Sequence, residues 1–236
     1  MNATTTSSRA ECADYALRWR QLLCMAVLGS GVVLHAGPLF AADESGLADC
    51  GDPFVNGVGP WDYNNPVYRN DYSKIPNVEF NHFSRDVETL LKGKSSANVL
   101  SDIEYTLRAI PNHPRALYSA ARYELEHGRD ARFMSAECWF WRAETFTPAD
   151  GVVNMIHGIF LARKGARTEA LAEYQNALNS MPESSELHYN MGLLYFDMGD
   201  NKQAAEHARI AYEHGYPLPG LRQKLIAANA WPESKD

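Results

Sequence analysis

The sequence lacks the short motifs that mark common catalytic and cofactor sites. It contains no glycine-rich phosphate loop, no nucleophile elbow, no Cys-X-X-Cys pair and no Cys-X-X-Cys-His haem attachment site. Suitable spacing of metal ligands is also missing, since His207 and His214 lie two helical turns apart, about 10 Å along a helix. The remaining candidate ligands, which also lack the spacing of a known metal site, are His113, His127, His157 and His188. We therefore predict a protein that is not an enzyme and that has neither a cofactor nor a bound metal.

Basic residues are too few to balance the acidic ones. The chain has 22 lysines and arginines against 29 aspartates and glutamates, so its formal net charge is -7 at pH 7. Nucleic acids and anionic lipid surfaces are bound largely through lysine and arginine. We therefore predict neither a nucleic-acid partner nor electrostatic attachment to a membrane.

Long apolar runs are absent except near the start of the chain. Residues 22–34 are largely apolar, follow Arg18 and Arg20, and precede a pair of alanines that ends at Ala42. A basic start, an apolar centre and a small-residue end are typical of a secretory signal peptide, which we predict over residues 1–42. The alternative is a single membrane anchor. A histidine, a glycine and a proline interrupt the run before it reaches about 20 apolar residues, so no stable span is expected after cleavage.

The centre of the chain repeats itself at a spacing of 34 residues. Such a period in small, apolar and proline positions is typical of a helix–turn–helix array. In each unit, apolar residues three and four apart predict a first helix, a glycine ends it, and small residues predict a closely packed second helix. The periodic positions are Ala109, Ala143, Ala177 and Ala211; Ala136, Ala170 and Ala204; Pro114, Pro148 and Pro182; Gly158 and Gly192; and Gly165 and Gly199.

Individual helices follow from the same pattern. In the last unit we predict a first helix over 185–198, and a capping helix over 221–230 ends the array. A short insertion follows the turn at Gly128 in the first full unit. Before that unit, residues 102–110 predict the second helix of a divergent repeat. Its first helix is predicted around Val87, Leu90 and Leu91.

The repeated stretch resembles the tetratricopeptide repeat (TPR) family. The second-helix sequence Ala170-Leu-Ala-Glu-Tyr-Gln-Asn-Ala177, followed by Met181-Pro182, is close to the family's pattern. The resemblance implies an all-α fold, namely a tetratricopeptide-like array of helical hairpins that forms a right-handed α-solenoid with three full repeats and one divergent one.

The resemblance further implies that the first helices line a concave binding surface. Positions carried over by register predict a partner-binding groove formed by Arg115, Tyr118, Arg122, Met155, Ile159, Arg163, Tyr189, Leu193 and Phe196. The mixture is basic at one end and apolar or aromatic at the other, which suits an extended peptide with an acidic group and an apolar or aromatic side chain. For Met155 and Leu193, packing in the core is an equal alternative. The lysines and asparagines with which some TPR proteins clamp a C-terminal carboxylate are not present as a set.

Residues 43–82 differ in composition from the repeats, and we predict an irregular segment rich in glycine, proline and aromatic residues. Cys50-Gly51-Asp52-Pro53 and Gly59-Pro60-Trp61-Asp62-Tyr63 resemble a short motif of exported bacterial TPR proteins. The segment either packs on its own repeats and caps the array, or docks on a neighbouring molecule and drives assembly.

Only two of the four cysteines, Cys50 and Cys138, lie beyond the predicted leader. In an oxidising compartment they can pair and tie the N-terminal segment to the first full repeat. The alternative is a buried free Cys138 and a separate, exposed Cys50; we favour the disulfide. A lipid anchor at Cys50 is not expected, because an aspartate precedes it.

The sequence thus predicts a leader over 1–42, an irregular segment over 43–82, a repeat domain over 83–230 and a tail over 231–236. We expect a protein-binding scaffold that is exported from a bacterial cytoplasm to the periplasm or the cell exterior, and that binds a protein or peptide partner. The alternative is a structural subunit that self-associates through residues 50–80.

Overall fold

The computed structural model describes residues 50–231. The predicted signal peptide over 1–42 and the tail after Trp231 lie outside the described residues. Within the described part of the chain, no helix is both long and apolar enough to cross a membrane.

Residues 50–231 fold into helices and connecting loops, without a strand. Helices α5 to α10 form three consecutive hairpins, so the prediction of an all-α, TPR-like hairpin array is confirmed. The helices are α1 Pro66–Arg69, α2 Ile75–His82, α3 Arg85–Glu88, α4 Val99–Ala109, α5 Pro114–His127, α6 Ala136–Phe146, α7 Gly151–Lys164, α8 Arg167–Leu178, α9 Ser185–Asp197, α10 Asn201–Glu213 and α11 Gly220–Ala227.

The periodic alanines form the contact between paired helices. All seven are at most 2% exposed, because a small side chain lets two backbones come close. Gly158 and Gly192 serve the same purpose. A methyl group on Gly158 would lie 2.5 Å from the Tyr174 ring, and one on Gly192 would lie 2.5 Å from Leu221 Cδ2.

The turns of the second and third hairpins follow the predicted glycines. Gly165 and Gly199 have φ values of +84° and +82°, a left-handed conformation that glycine adopts without steric cost. In the first hairpin, the predicted insertion is the loop between Gly128 and Ser135, whose hydroxyl accepts a hydrogen bond from the Cys138 backbone N–H and caps α6.

The divergent repeat departs from the prediction in its first helix. Instead of a helix around Val87, Leu90 and Leu91, the chain forms the single turn α3, after which Leu90 has φ +64° and Leu91 is 76% exposed. A loop over 93–98 follows, and the buried carboxylate of Asp102 organises it by accepting hydrogen bonds from successive backbone N–H groups. The predicted second helix is present as α4.

The segment predicted to be irregular also contains two short helices, over residues 66–69 and 75–82, which its composition did not predict. Pro66 and Pro76 do not break these helices because they lie in the first turn, where the missing backbone N–H has no intrahelical acceptor to lose. The predicted capping helix also differs slightly, since α11 ends at Ala227 rather than residue 230.

The N-terminal segment packs against α4 and the start of α5. Ile75 and Val78 of α2 are buried together with Ala109 and Ile110. Trp61 donates its backbone N–H to the Ala109 carbonyl at 2.9 Å. The segment therefore covers the end of its own array, the arrangement that a terminal repeat needs.

Cys50 and Cys138 form a disulfide in the structure, with their Cα atoms 5.2 Å apart. The guanidinium of Arg142 is buried beside it, donates to the Cys50 carbonyl at 2.9 Å and lies over the Trp139 ring. These contacts attach the start of the segment to α6.

Candidate functional site

A groove with a volume of about 530 Å³ lies between the first helices of the three hairpins, α5, α7 and α9. Each helix presents residues spaced three or four apart to it, because such residues share one face. Seven of the nine residues predicted to form a binding groove line this one: Arg115, Tyr118, Met155, Ile159, Arg163, Tyr189 and Leu193.

The two other predicted residues, Arg122 and Phe196, do not line the groove. Arg122 lies one turn beyond Tyr118 and pairs with Glu126 at 3.1 Å on the surface of α5. Phe196 lies under the ammonium group of Lys224, 5.1 Å from its ring centre, and packs towards α11. Both side chains are engaged by neighbours that a repeat register alone does not reveal.

Met155 and Leu193 both line the groove and pack in the core, the two roles between which the sequence did not decide. Met155 is only 6% exposed and belongs to the core between α7, α8 and α9, yet it forms part of the groove floor. Leu193 is half-buried and packs on the core formed with α10 and α11. The groove therefore has an apolar floor that is continuous with the core of the repeats.

The sequence did not indicate that the chain itself closes one end of the groove. Tyr216 and Leu218, in the linker between α10 and α11, line it, and Tyr216 stacks on Tyr189 with ring centres 4.2 Å apart. The linker is fixed because the Tyr212 hydroxyl donates to the Leu218 carbonyl and accepts from the Arg222 backbone N–H. These positions have no counterpart in the repeat pattern, since the linker is not part of a hairpin.

The groove is less basic than the sequence predicted. Arg115 pairs with Glu88 at 3.0 Å and with Glu79 at 3.3 Å, so two carboxylates meet its charge. Glu88 and Glu186 themselves line the groove. Of the three arginines predicted for the groove, only Arg163 both lines it and forms no ion pair within residues 50–231.

Part of this region matches a known family. Residues 161–199 match the family model of the TPR repeat. Those residues are similar to a TPR repeat. They run from the last turn of α7 through α8 to the turn after α9, and TPR repeats generally mediate protein–protein interactions.

The chain is also similar to a solved structure, a thermophilic TPR protein from Thermus thermophilus, which is 21% identical over 56% of this chain and 89% of that chain, with a TM-score of 0.35. No curated protein matches the chain.

Outside the groove, a protonated histidine joins the hairpins α5–α6 and α7–α8. His157 lies within 2.6 Å of Glu144 and 3.2 Å of Glu137, one ring nitrogen to each carboxylate. Burial lowers the pKa of His157, but the bonds to Glu137 and Glu144 outweigh it and raise the pKa to about 9. Glu173 is close enough to complete a possible set of cation ligands. An imidazolium that donates from both nitrogens has no lone pair for a metal, so we interpret this cluster as an ion network.

A pair of histidines lies in the last hairpin, α9–α10. His188 and His207 approach within 2.9 Å through their Nδ1 atoms, and the Nε2 atom of His188 bonds to the Pro182 carbonyl. Burial and the neighbouring His188 lower the pKa of His207 to about 4, so His207 is neutral near pH 7. The contact between the two rings joins α9 to α10. His214, which the sequence places too far from His207 to share a metal, is exposed beyond α10.

Proposed function

We propose that this protein is a non-enzymatic binding module whose groove between α5, α7 and α9 holds a segment of a protein partner. One observation carries the proposal: seven residues from three repeats converge on one groove with an apolar floor, and a fixed linker closes one end. A floor of apolar and aromatic groups with a few charges around it suits a peptide segment. The TPR repeat at 161–199 supports a protein rather than a small molecule as the partner.

The proposal is tested by substituting one groove residue and one matched residue elsewhere. Tyr118 and Tyr72 are both exposed tyrosines, but only Tyr118 lines the groove. The immobilised protein should retain a partner from the organism's extract, and Tyr118→Ala should reduce its retention about fivefold or more, as for an aromatic interface residue. Tyr72→Ala should leave retention unchanged. Equal effects of the two substitutions would contradict the proposal.

We further propose that the protein is exported by its leader and works in the periplasm or outside the cell. The disulfide supports this, because disulfides persist mainly in oxidising compartments. Mass spectrometry of the protein from cell fractions tests it. We expect an extracytoplasmic fraction to contain a chain whose mass corresponds to removal of the leader, about residues 1–42. An intact chain in the cytoplasm would contradict the proposal.

A second candidate function, assembly through residues 50–80, is favoured by exposed aromatic side chains on that segment. Tyr72 is 88% exposed and Phe80 is 74% exposed. Against it stands the packing of the same segment on its own α4 and α5, which accounts for its order without a second copy. Light scattering of the mature protein distinguishes the two. The binding module should be a monomer at low micromolar concentration, whereas a subunit should form larger species that Tyr72→Ser with Phe80→Ser abolishes.

A further inference from the structure

Two groove charges of opposite sign have no partner within residues 50–231. They are Arg163, in the last turn of α7, and Glu186, in the first turn of α9. The other two charged groove residues, Arg115 and Glu88, pair with each other. The groove thus presents one free cation and one free anion to whatever enters it.

The two free charges lie towards opposite edges of the groove. α7 and α9 are both antiparallel to α8, because short connections join them to it, and are therefore parallel to each other. They begin at Gly151 and Ser185, which are equivalent positions of the repeat. Glu186 is therefore equivalent to Val152, the second residue of α7. Arg163 lies eleven residues after Val152 in the same helix. Eleven residues correspond to about 16 Å along the helix direction.

The space between the two charges is apolar. Met155, Ile159 and Leu193 line it, and the stacked Tyr189 and Tyr216 close its end. Glu186 lines the same groove as Tyr189 and Tyr216. An extended peptide advances about 3.3 Å per residue, so about five residues span the distance between the charges.

We infer that the groove takes an extended peptide segment with charges of opposite sign about five residues apart and apolar side chains between them, whose carboxylate meets Arg163 and whose cation meets Glu186. The inference rests on the proposed function, and it names the chemistry of the partner segment. It also gives the bound segment a fixed direction, because reversing the peptide places like charges together.

The test measures fluorescence anisotropy of labelled synthetic peptides with the mature protein. One probe is Ser-Glu-Gly-Leu-Gly-Leu-Lys-Ser, the second exchanges Glu and Lys, and two others replace Glu or Lys by Gln. One of the two dipolar probes should bind more tightly than the other, and each Gln replacement should weaken that binding about two- to fivefold, as for exposed ion pairs. Higher salt should reduce the difference.

Charge exchange in the protein provides the decisive comparison. Arg163→Glu should weaken binding of the preferred probe, and Arg163→Glu combined with Glu186→Lys should make the other dipolar probe the preferred one. The matched control is Arg167→Glu combined with Glu183→Lys, which changes exposed charges outside the groove and should change nothing. Thermal unfolding followed by circular dichroism verifies that each variant is folded.

The possible outcomes separate this inference from the proposed function. If neither dipolar probe binds below about 1 mM, a weak affinity even for a peptide, or if the exchange does not reverse the preference, the inference is wrong. If Tyr118→Ala still reduces retention of a partner while Tyr72→Ala does not, the proposed function stands, and only the inferred pattern of charges in the peptide is rejected. If both tests fail, the groove is not the binding site.

Discussion

At the scale of single residues, His157 links two hairpins through its charge. It faces Glu137 and Glu144 of α6 and Glu173 of α8, with Lys164 of its own helix also bound to Glu137. Its pKa is raised from 6.5 to about 9, so its stabilising effect is fully present below pH 6.5 and is lost as the pH rises through 9. A shift of that size corresponds to at most about 3 kcal/mol.

The first prediction follows from this window. The free energy of unfolding of the wild type should fall by about 1–3 kcal/mol more than that of His157→Gln between pH 6.5 and 9.5. Urea unfolding at several pH values measures it. His214→Gln, which changes an exposed histidine, is the control and should follow the wild type. Parallel pH curves for the wild type and His157→Gln would show that the network does not depend on the imidazolium.

The repeat register predicts which residues face the groove only where no neighbouring side chain holds the residue elsewhere. Tyr118, Ile159 and Tyr189 line the groove, because their direction depends on position within the helix alone. Arg122 and Phe196 do not line it, because each side chain contacts a charged neighbour instead. Contacts with partners outside the repeat, such as the pairing of Arg115 with Glu79, have no signal in a 34-residue period.

At the scale of helices, the fit of α7 against α8 depends on the absence of a side chain at Gly158. Alanine there would place its methyl group 2.5 Å from the ring of Tyr174, which is 2% exposed and has no room to move. Overpacking of this kind costs about 1–3 kcal/mol, and the better helix propensity of alanine returns at most about 1 kcal/mol.

The second prediction is that Gly158→Ala lowers the free energy of unfolding by about 1–2 kcal/mol, as the balance of these two effects. Chemical unfolding measures the change. The matched control is Gly57→Ala, where nothing lies within 4 Å of the new methyl group and the stability should change by less than about 0.5 kcal/mol. A stabilised Gly158→Ala protein would mean that α7 and α8 are less closely packed than described.

The N-terminal segment is held to α6 by the disulfide between Cys50 and Cys138, which are 88 positions apart. A link that closes so long a loop restricts the unfolded chain strongly, and such links typically contribute about 2–4 kcal/mol. The third prediction is that a reductant lowers the stability of the wild type by this order, as seen in urea unfolding. Cys50→Ser with Cys138→Ser should already be less stable and should not respond to reductant. Two free thiols in the native oxidised protein would contradict the pairing.

The positions of the helices were predictable where the 34-residue period is strong, and less predictable elsewhere in the chain. The hairpins α7–α8 and α9–α10 carry matched glycines and alanines, and their bounds agree with the pattern. The prolines at 66 and 76 pointed away from helix, although proline is tolerated in a first turn. Leu90 and Leu91 suggested a helix that the neighbouring loop, organised by Asp102, replaces.

At the scale of the whole molecule, two features decide between a binding module and an assembly subunit. The groove of the hairpin array is open to a partner, and its end wall is fixed by the chain's own linker. The N-terminal segment is already packed on α4 and α5, although it leaves Tyr72 and Phe80 exposed. We therefore propose that the groove binds the partner and that the segment caps the array.

The most direct test places a photo-crosslinking amino acid, p-benzoylphenylalanine, at Tyr118 in the groove or at Tyr72 on the segment, in the protein's own cells. We expect position 118 to become linked to a different protein, in a band that a competing groove peptide or Arg163→Glu diminishes. Position 72 should give no such band. Links from position 72 to a second copy of the chain, with none from position 118, would contradict binding in the groove and show an assembly subunit instead.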